Sequence, residues 1–173
     1  MKRTNRRRWL RSILALSTGL AVATAAGAPT ASADPPPAPT ITALRIVIQT
    51  GDDDLRTDSS AVARLWFVDA SGRRRNAGMD LNGRQAWGNW STNTRDMPVP
   101  PGLTLADLDR FEIEFTSGQP DVFHTGDNWN MQSIEVYPVL DDDEGTTVLV
   151  TSDAGDPLHR FQSDRERLWF QDL

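Results

Sequence analysis

The stretch ITALRIVIQT, residues 41–50, alternates along most of its length between apolar and polar side chains. Leu44, Ile46 and Ile48 form its apolar face. A period of two is typical of a β-strand that packs one face on a core and leaves the other in solvent. The segment RFEIEFTS, residues 110–117, has the same alternation. These two segments therefore predict strands with one buried face each.

Shorter segments with the same character continue along the chain and are separated by Gly, Pro and Asn turn signals. They predict strands at residues 62–69, 77–81, 96–99, 129–139, 146–151, 159–162 and 168–171, with turns that include 100–102 and 153–157. Only residues 104–110, with Thr104 as N-cap, have a helical character. Many short strands and almost no helix predict an all-β fold, an antiparallel β-sandwich of about eight strands with one short helical turn.

One of these strands contains an irregularity that the sequence itself reveals. In WNMQSIEVYPV, residues 129–139, the apolar alternation changes parity between Met131 and Ile134. A parity change within a strand predicts a β-bulge, because one extra residue moves every later side chain to the opposite face.

The N-terminal region has the features of an export signal rather than of a folded domain. Residues 1–33 combine a basic start, an apolar stretch and small residues before a cleavage site. The apolar stretch is shorter than the ~18 residues of a membrane span. Residues 34–40 form a proline-rich spacer, and 41–173 form a single β-sandwich domain. We therefore expect a secreted protein, exported by the general or the twin-arginine route, and not an integral membrane protein.

The charge of the mature chain limits its partners. After residues 1–33 are removed, all 24 acidic residues but only 12 of the 18 basic residues remain, giving a formal charge of −12. Such a surface repels phosphate backbones and argues against nucleic acid as a ligand. The chain contains no cysteine, so a secreted domain of this kind depends on its core or on bound metal for stability. Arginine is the only basic residue after residue 33, which is typical of a bacterial genome rich in G and C.

Carboxylates are concentrated next to a tripeptide that occurs twice, TGD at residues 50–52 and 125–127. Because the two copies border strands predicted to be antiparallel neighbours, we expect both loops at the same end of the sandwich. Asp52, Asp54, Asp58 and Asp127 are candidate ligands for Ca²⁺, which prefers carboxylate and amide oxygens. The alternative is that these carboxylates cap turns and keep the surface soluble.

Tryptophan and polar side chains accompany these loops in QAWGNWSTN and GDNWNM. Trp87, Trp90, Asn128, Trp129 and Asn130 are candidate ligand contacts, because an indole face stacks on a sugar ring while amides bind hydroxyl groups. The competing interpretation applies most strongly to Trp129. That residue also fits the apolar side of its strand and is then a core residue.

The order of these motifs resembles the PLAT, or lipoxygenase-homology, β-sandwich. The resemblance covers roughly residues 40–138 and depends on the TG-containing loop after the first strand, the acidic segment that follows it, and the spacing of Trp129, Met131, Ile134 and Val136. It implies Ca²⁺ ligands among Thr50, Gly51, Asp52, Asp54, Asp58 and Asp127. It also implies a non-catalytic module that docks to membranes, lipids or protein partners, whereas a glycan is the ligand that the tryptophan and amide side chains indicate.

The sequence thus predicts a secreted, Ca²⁺-assisted binding module that uses loops at one end of the sandwich. One alternative is a small secreted hydrolase that uses the clustered carboxylates and His124, with Ser59 or Ser60 as a hydroxyl nucleophile. Another is a structural or inhibitory protein whose turns serve folding alone, which complete burial of Trp129 would favour.

Overall fold

A computed structural model of the chain describes residues 37–118, 126–141 and 149–173. Eight strands and one turn of 3-10 helix (η1) follow each other along this part of the chain. They are β1 (Ile41–Thr50), β2 (Ser60–Val68), β3 (Arg74–Asp80), β4 (Thr92–Leu103), η1 (Leu105–Asp107), β5 (Leu108–Thr116), β6 (Trp129–Leu140), β7 (Thr151–Phe161) and β8 (Leu168–Asp172). The predicted signal, residues 1–33, lies outside the described residues.

The strands form two four-stranded antiparallel sheets. One has the order β4-β1-β6-β7 and the other the order β3-β2-β5-β8. The prediction of an all-β antiparallel sandwich with about eight strands and one short helical turn is confirmed. The helical turn is capped as predicted, since both the backbone N–H and the hydroxyl of Thr104 donate to Asp107 Oδ2 at 2.8 Å.

The core lies between the apolar faces that the alternation predicts. Leu44, Ile46 and Ile48 of β1 are buried on one side, and Phe111 and Ile113 of β5 on the other. Residues from both sheets belong to a single buried cluster. The period of two in the sequence therefore identifies the inner face of each central strand.

Two predicted turns instead lie inside longer strands, at the edges of the first sheet. In β4, Ala43 is opposite Pro98 but Ile41 is opposite Leu103, so residues 99–102 form a wide bulge. In β7, Ala154 is opposite Ser133 of β6 but His159 is opposite Met131, so residues 155–158 likewise form a bulge. The Pro and Gly signals at 100–102 and 153–157 are real, but an edge strand accommodates them as bulges because one side of its backbone needs no ladder partner.

The parity change in residues 129–139 is also a bulge, as predicted. The register of β6 with β7 shifts between Met131 and Ser133, and that of β1 with β6 shifts between Gln49 and Thr50. Residues 146–148 of the predicted strand 146–151 lie outside the described residues, residues 149 and 150 precede a strand, and Thr151 is the first residue of β7.

Candidate functional site at the loop end

The two TGD loops meet at one end of the sandwich, as the sequence predicts. β1 and β6 are antiparallel neighbours, and the backbone N–H of Gly51 donates to the Asn130 carbonyl at 2.7 Å. The N–H of Asn130 in turn donates to the carbonyl of Asp53 at 3.1 Å. A Cβ on Gly51 would lie 3.0 Å from Asn130 Cβ, so this close approach favours glycine. Thr125, the first residue of the second TGD, lies outside the described residues.

Asp127 is an internal anchor of this end, with 1% of its surface exposed. Its Oδ2 accepts hydrogen bonds from the Ser59 hydroxyl at 2.7 Å and from the Arg56 N–H at 3.0 Å. Its Oδ1 lies 3.2 Å from Arg56 Nε, an ion-pair contact without a well-directed hydrogen bond. A buried carboxylate requires such partners, so Asp127 holds the start of β2 against the loop that enters β6.

A second hydrogen-bond network joins Asp52 and Asp53 to β7, an edge strand of the same sheet. The buried Asn130 amide donates to Asp52 Oδ1 at 2.5 Å, and its oxygen accepts from Arg160 Nη1 at 3.3 Å. The same guanidinium contacts Asp53 Oδ2 at 3.0 Å. Partial burial raises the pKa of Asp53, and the nearby carboxylates of Asp127 and Asp54 raise it further, whereas Arg160 opposes the shift.

The predicted Ca²⁺ ligands do not gather into a site among the described residues. No group of three or more Asp, Glu, His or Cys side chains in residues 37–118, 126–141 and 149–173 is placed to hold a metal ion. Asp127 is turned inward onto Ser59 and Arg56, and Asp58 is exposed. Ca²⁺ requires six to eight oxygens around one point, and the present arrangement does not fit it.

Two of the predicted ligand contacts are core residues. Trp129 is fully buried, stacked on Phe161 with ring centroids 4.8 Å apart, and Trp87 is 2% exposed with its ring 5.9 Å from that of Trp129. The interpretation of Trp129 as a core residue is the one that its burial supports, and the same now holds for Trp87. The two indoles instead fill the space where the loop end closes the core.

The predicted amides have structural partners too. Asn130 is buried in the network above, and the Asn128 side-chain oxygen accepts from the Ser163 N–H at 3.3 Å. Only Asn128 retains partial exposure. Of the five predicted ligand contacts, Trp90 is the one that is largely in solvent.

Trp90 is 56% exposed and has a φ of 60°, in the left-handed region. A bulky residue rarely adopts this conformation, which costs on the order of 1–3 kcal/mol. Backbone strain at an exposed aromatic residue is a physical reason to suspect a binding role.

The loop that carries Trp90 is fixed by hydrogen bonds to the first TGD loop. The Trp90 N–H donates to the Gly51 carbonyl at 2.9 Å, and the Thr50 hydroxyl donates to the Gly88 carbonyl at 2.6 Å. The Asn89 amide donates to the Asp52 carbonyl at 3.0 Å. An isolated β-bridge, in which the backbones of Leu55 and Trp87 exchange two hydrogen bonds, fixes the start of the same loop. The exposed indole is therefore presented on a rigid support beside the exposed Asp52.

Of the two hydroxyl residues proposed for hydrolysis, Ser60 is half-buried at the start of β2 and Ser59 is engaged inside the fold. Ser59 is buried, donates to Asp127 and accepts from the Gly118 N–H at 2.9 Å, so its hydroxyl is not free to attack a substrate. His124 lies outside the described residues.

Sequence reasoning missed the side chains that bind the carboxylates at the loop end of the sandwich, and it considered Ser59 only as a nucleophile. Arg56 and Arg160 come from different strands or loops, and Ser59 precedes β2. No local pattern marks them, because each acts on a carboxylate distant in sequence. Asn82 had a detectable signal, the Asn-Gly turn, and its buried side chain accepts from the Ala61 N–H at 3.0 Å and donates to the Ser59 carbonyl at 2.9 Å.

Comparison with solved structures shows a likeness of limited extent. No protein-family model matches the sequence, and no curated protein does either. A crystal structure of a LOX variant, Delta413-417:GS LOX, is similar over 75% of this chain at 11% identity and a TM-score of 0.48. This chain spans 16% of the length of that one. No helix in the described residues is long and apolar enough to cross a membrane.

Proposed function

We propose that this chain is an exported, non-catalytic binding module that contacts its ligand through the indole of Trp90. The observation that carries the proposal is the combination of 56% exposure with a φ of 60° in a loop fixed to Gly51 and Asp52. A fixed aromatic side chain binds with little loss of conformational entropy, which is how rigid tryptophans act as anchors in interfaces.

Among the ligand classes predicted from the sequence, the surroundings of Trp90 favour a glycan. The indole face stacks on a sugar ring, and Asp52, whose backbone carbonyl accepts from Asn89 of the same loop as Trp90, has an exposed side chain with carboxylate oxygens for hydroxyl groups. The formal charge of −12 on residues 34–173 opposes an anionic bilayer. A lipid surface or a protein ligand, the other classes implied by the resemblance to PLAT domains, is a competing outcome of the test.

Calcium assistance stays a prediction from the sequence, and the proposed ligand binding through Trp90 does not depend on the ion. Of the four carboxylates that were expected to bind the ion, Asp127 instead contacts Ser59 and Arg56, and Asp52 accepts a hydrogen bond from the Asn130 amide. The hydrolase alternative likewise stays a prediction that depends on His124.

The test is binding of residues 34–173 to soluble neutral polysaccharides (β-glucan, xylan and mannan) by affinity electrophoresis. In parallel, co-sedimentation measures binding to phosphatidylcholine vesicles with and without phosphatidylserine and Ca²⁺. We expect polysaccharide binding that Trp90→Ala weakens ~30-fold, since truncation of a dominant anchor costs about 2 kcal/mol. Vesicle binding without polysaccharide binding would overturn the glycan assignment, and Trp90→Ala binding like the parent would overturn the site.

A matched variant separates loss of contact from loss of fold. Trp90→Gly removes the same indole but suits a φ of 60°, so we expect its free energy of unfolding to equal or exceed that of the parent. Lost binding together with undiminished stability is the signature of a residue retained for function. A Trp90→Gly protein that is clearly less stable would show that the indole is there for packing.

A further inference from the structure

The two sheets have four edge strands, and three of them carry features that discourage pairing with another chain. β4 contains Pro98, Pro100 and Pro101, β7 contains Pro157, and β3 begins with Arg74 and Arg75. Proline and charge on an edge are the usual protections against edge-to-edge association. β8, with the sequence LWFQD, has no Pro, Gly, Lys or Arg, and its one charged residue, Asp172, is paired with Arg110 of β5.

The backbone of β8 shows which groups face the open edge. The N–H of Phe115 donates to the Arg167 carbonyl, and the N–H of Leu173 donates to the Asp109 carbonyl. Ile113 is opposite Trp169 in the same register, and hydrogen-bonded pairs occur at every second residue of an antiparallel ladder. The N–H and C=O groups of the odd-numbered residues of β8 therefore point toward β5. The N–H and C=O groups of Leu168, Phe170 and Asp172 therefore point away from β5. Within the described residues no strand lies on that side.

The side chains of the same three residues lie on the outer face of the sheet. Leu168 is 42% exposed and Phe170 48% exposed, whereas Trp169 between them is in the core. The Arg110 guanidinium lies over the Phe170 ring, 4.3 Å from its centroid, and its Nε contacts Asp172 Oδ1 at 2.6 Å. This strand is thus held in an extended form with two apolar side chains in solvent.

We infer that β8 is an association edge through which two copies of this chain pair as antiparallel strands. A two-fold axis through Phe170 places Phe170 opposite Phe170 of the second copy and Leu168 opposite Asp172. In that register all three outward-facing residues are in hydrogen-bonded pairs at once, with up to about six new backbone bonds. Within β8 itself no like charges face each other across the junction, since Asp172 lies opposite Leu168, and the two Phe170 rings form a cross-strand aromatic pair.

The chain favours a second copy over an unrelated strand because the edge is self-complementary. Leu168, Phe170 and Asp172, whose backbone groups face the open edge, are spaced symmetrically about Phe170. An isologous contact requires such symmetry, because the same surface serves on both copies. A junction of one five-residue strand is smaller than the ~800 Å² per partner of a standard interface. The dimer is accordingly weak and depends on concentration.

Sedimentation velocity of residues 34–173 from about 1 μM to about 1 mM tests the inference. We expect a shift from monomer to dimer across this range. Phe170→Pro removes the backbone donor that faces the open edge and leaves the bonds from β8 to β5 in place. Phe170→Ala keeps that donor and is the matched control. We expect no dimer from Phe170→Pro and a weakened dimer from Phe170→Ala.

A second pair of variants keeps the test decisive if Phe170→Pro fails to fold. Leu168→Glu places a carboxylate opposite Asp172 of the second copy, and Leu168→Arg places a cation there. We expect the dissociation constant to rise at least ~10-fold for Leu168→Glu and to stay the same or fall for Leu168→Arg. A parent protein that stays monomeric throughout, or variants of opposite charge that behave alike, would overturn the pairing.

Discussion

Removing the Asp127 carboxylate distinguishes a structural anchor from a metal ligand. Asp127→Ala leaves the Ser59 hydroxyl and the Arg56 N–H without their acceptor in a buried site. Each buried donor left without an acceptor lowers the free energy of unfolding by about 1–3 kcal/mol, and loss of one partner of a buried ion pair lowers it by about 3–5 kcal/mol. Because Arg56 is largely exposed and regains water, we expect a loss near the lower end, about 3 kcal/mol.

The assay is urea unfolding of residues 34–173, once in EDTA and once in millimolar Ca²⁺. Asp58→Ala is the matched control, because Asp58, in the loop between β1 and β2, is also a predicted Ca²⁺ ligand but is exposed. We expect Asp127→Ala to lose the same free energy of unfolding in both solutions and Asp58→Ala to lose less than about 0.5 kcal/mol.

Two results would refute this reasoning. The first is an Asp127→Ala protein as stable as the parent in EDTA. The second is a stabilisation by Ca²⁺ that both variants abolish, because a ligand of the folded state raises its stability only while its site is intact. The second result would establish the calcium site predicted from the sequence.

Two further predictions concern the interior of the same end. Burial lowers the pKa of His159 below 6.5, so the unfolded chain binds a proton at a higher pH than the folded one. The free energy of unfolding should therefore decline as the pH falls from about 7 to about 5, and His159→Gln should flatten that decline, measured by urea unfolding at each pH. A slope unchanged in His159→Gln would show that another group titrates. Gly118→Ala should lose about 1–3 kcal/mol in thermal unfolding, since its methyl group would overlap the Asp58 backbone carbonyl. Gly88→Ala, whose methyl group would meet open space, is the control and should differ little from the parent.

The strands could be read from the sequence because their signal is local. Each residue of β1 or β5 reports its own face through a period of two, and the bulge at Met131 appears as a change of that period. The convergence of the two TGD loops also follows from the sequence, since antiparallel neighbouring strands bring the end of one beside the start of the other. Local turn signals were less reliable at the edges, where β4 and β7 continue through Pro and Gly as bulges.

Exposure and charge pairing in the loops were decided only by the tertiary structure. Trp87 and Trp90 lie three residues apart in similar surroundings, yet one is in the core and the other is in solvent. The difference arises because the first pairs with Leu55 and packs on Trp129, contacts that no neighbouring residue encodes. Asp127 is likewise an anchor rather than a surface carboxylate because Ser59 and Arg56, about seventy positions away, are brought to it. A local pattern determines which way a side chain points from its strand, whereas its burial and its partners depend on which distant segments the fold places against it.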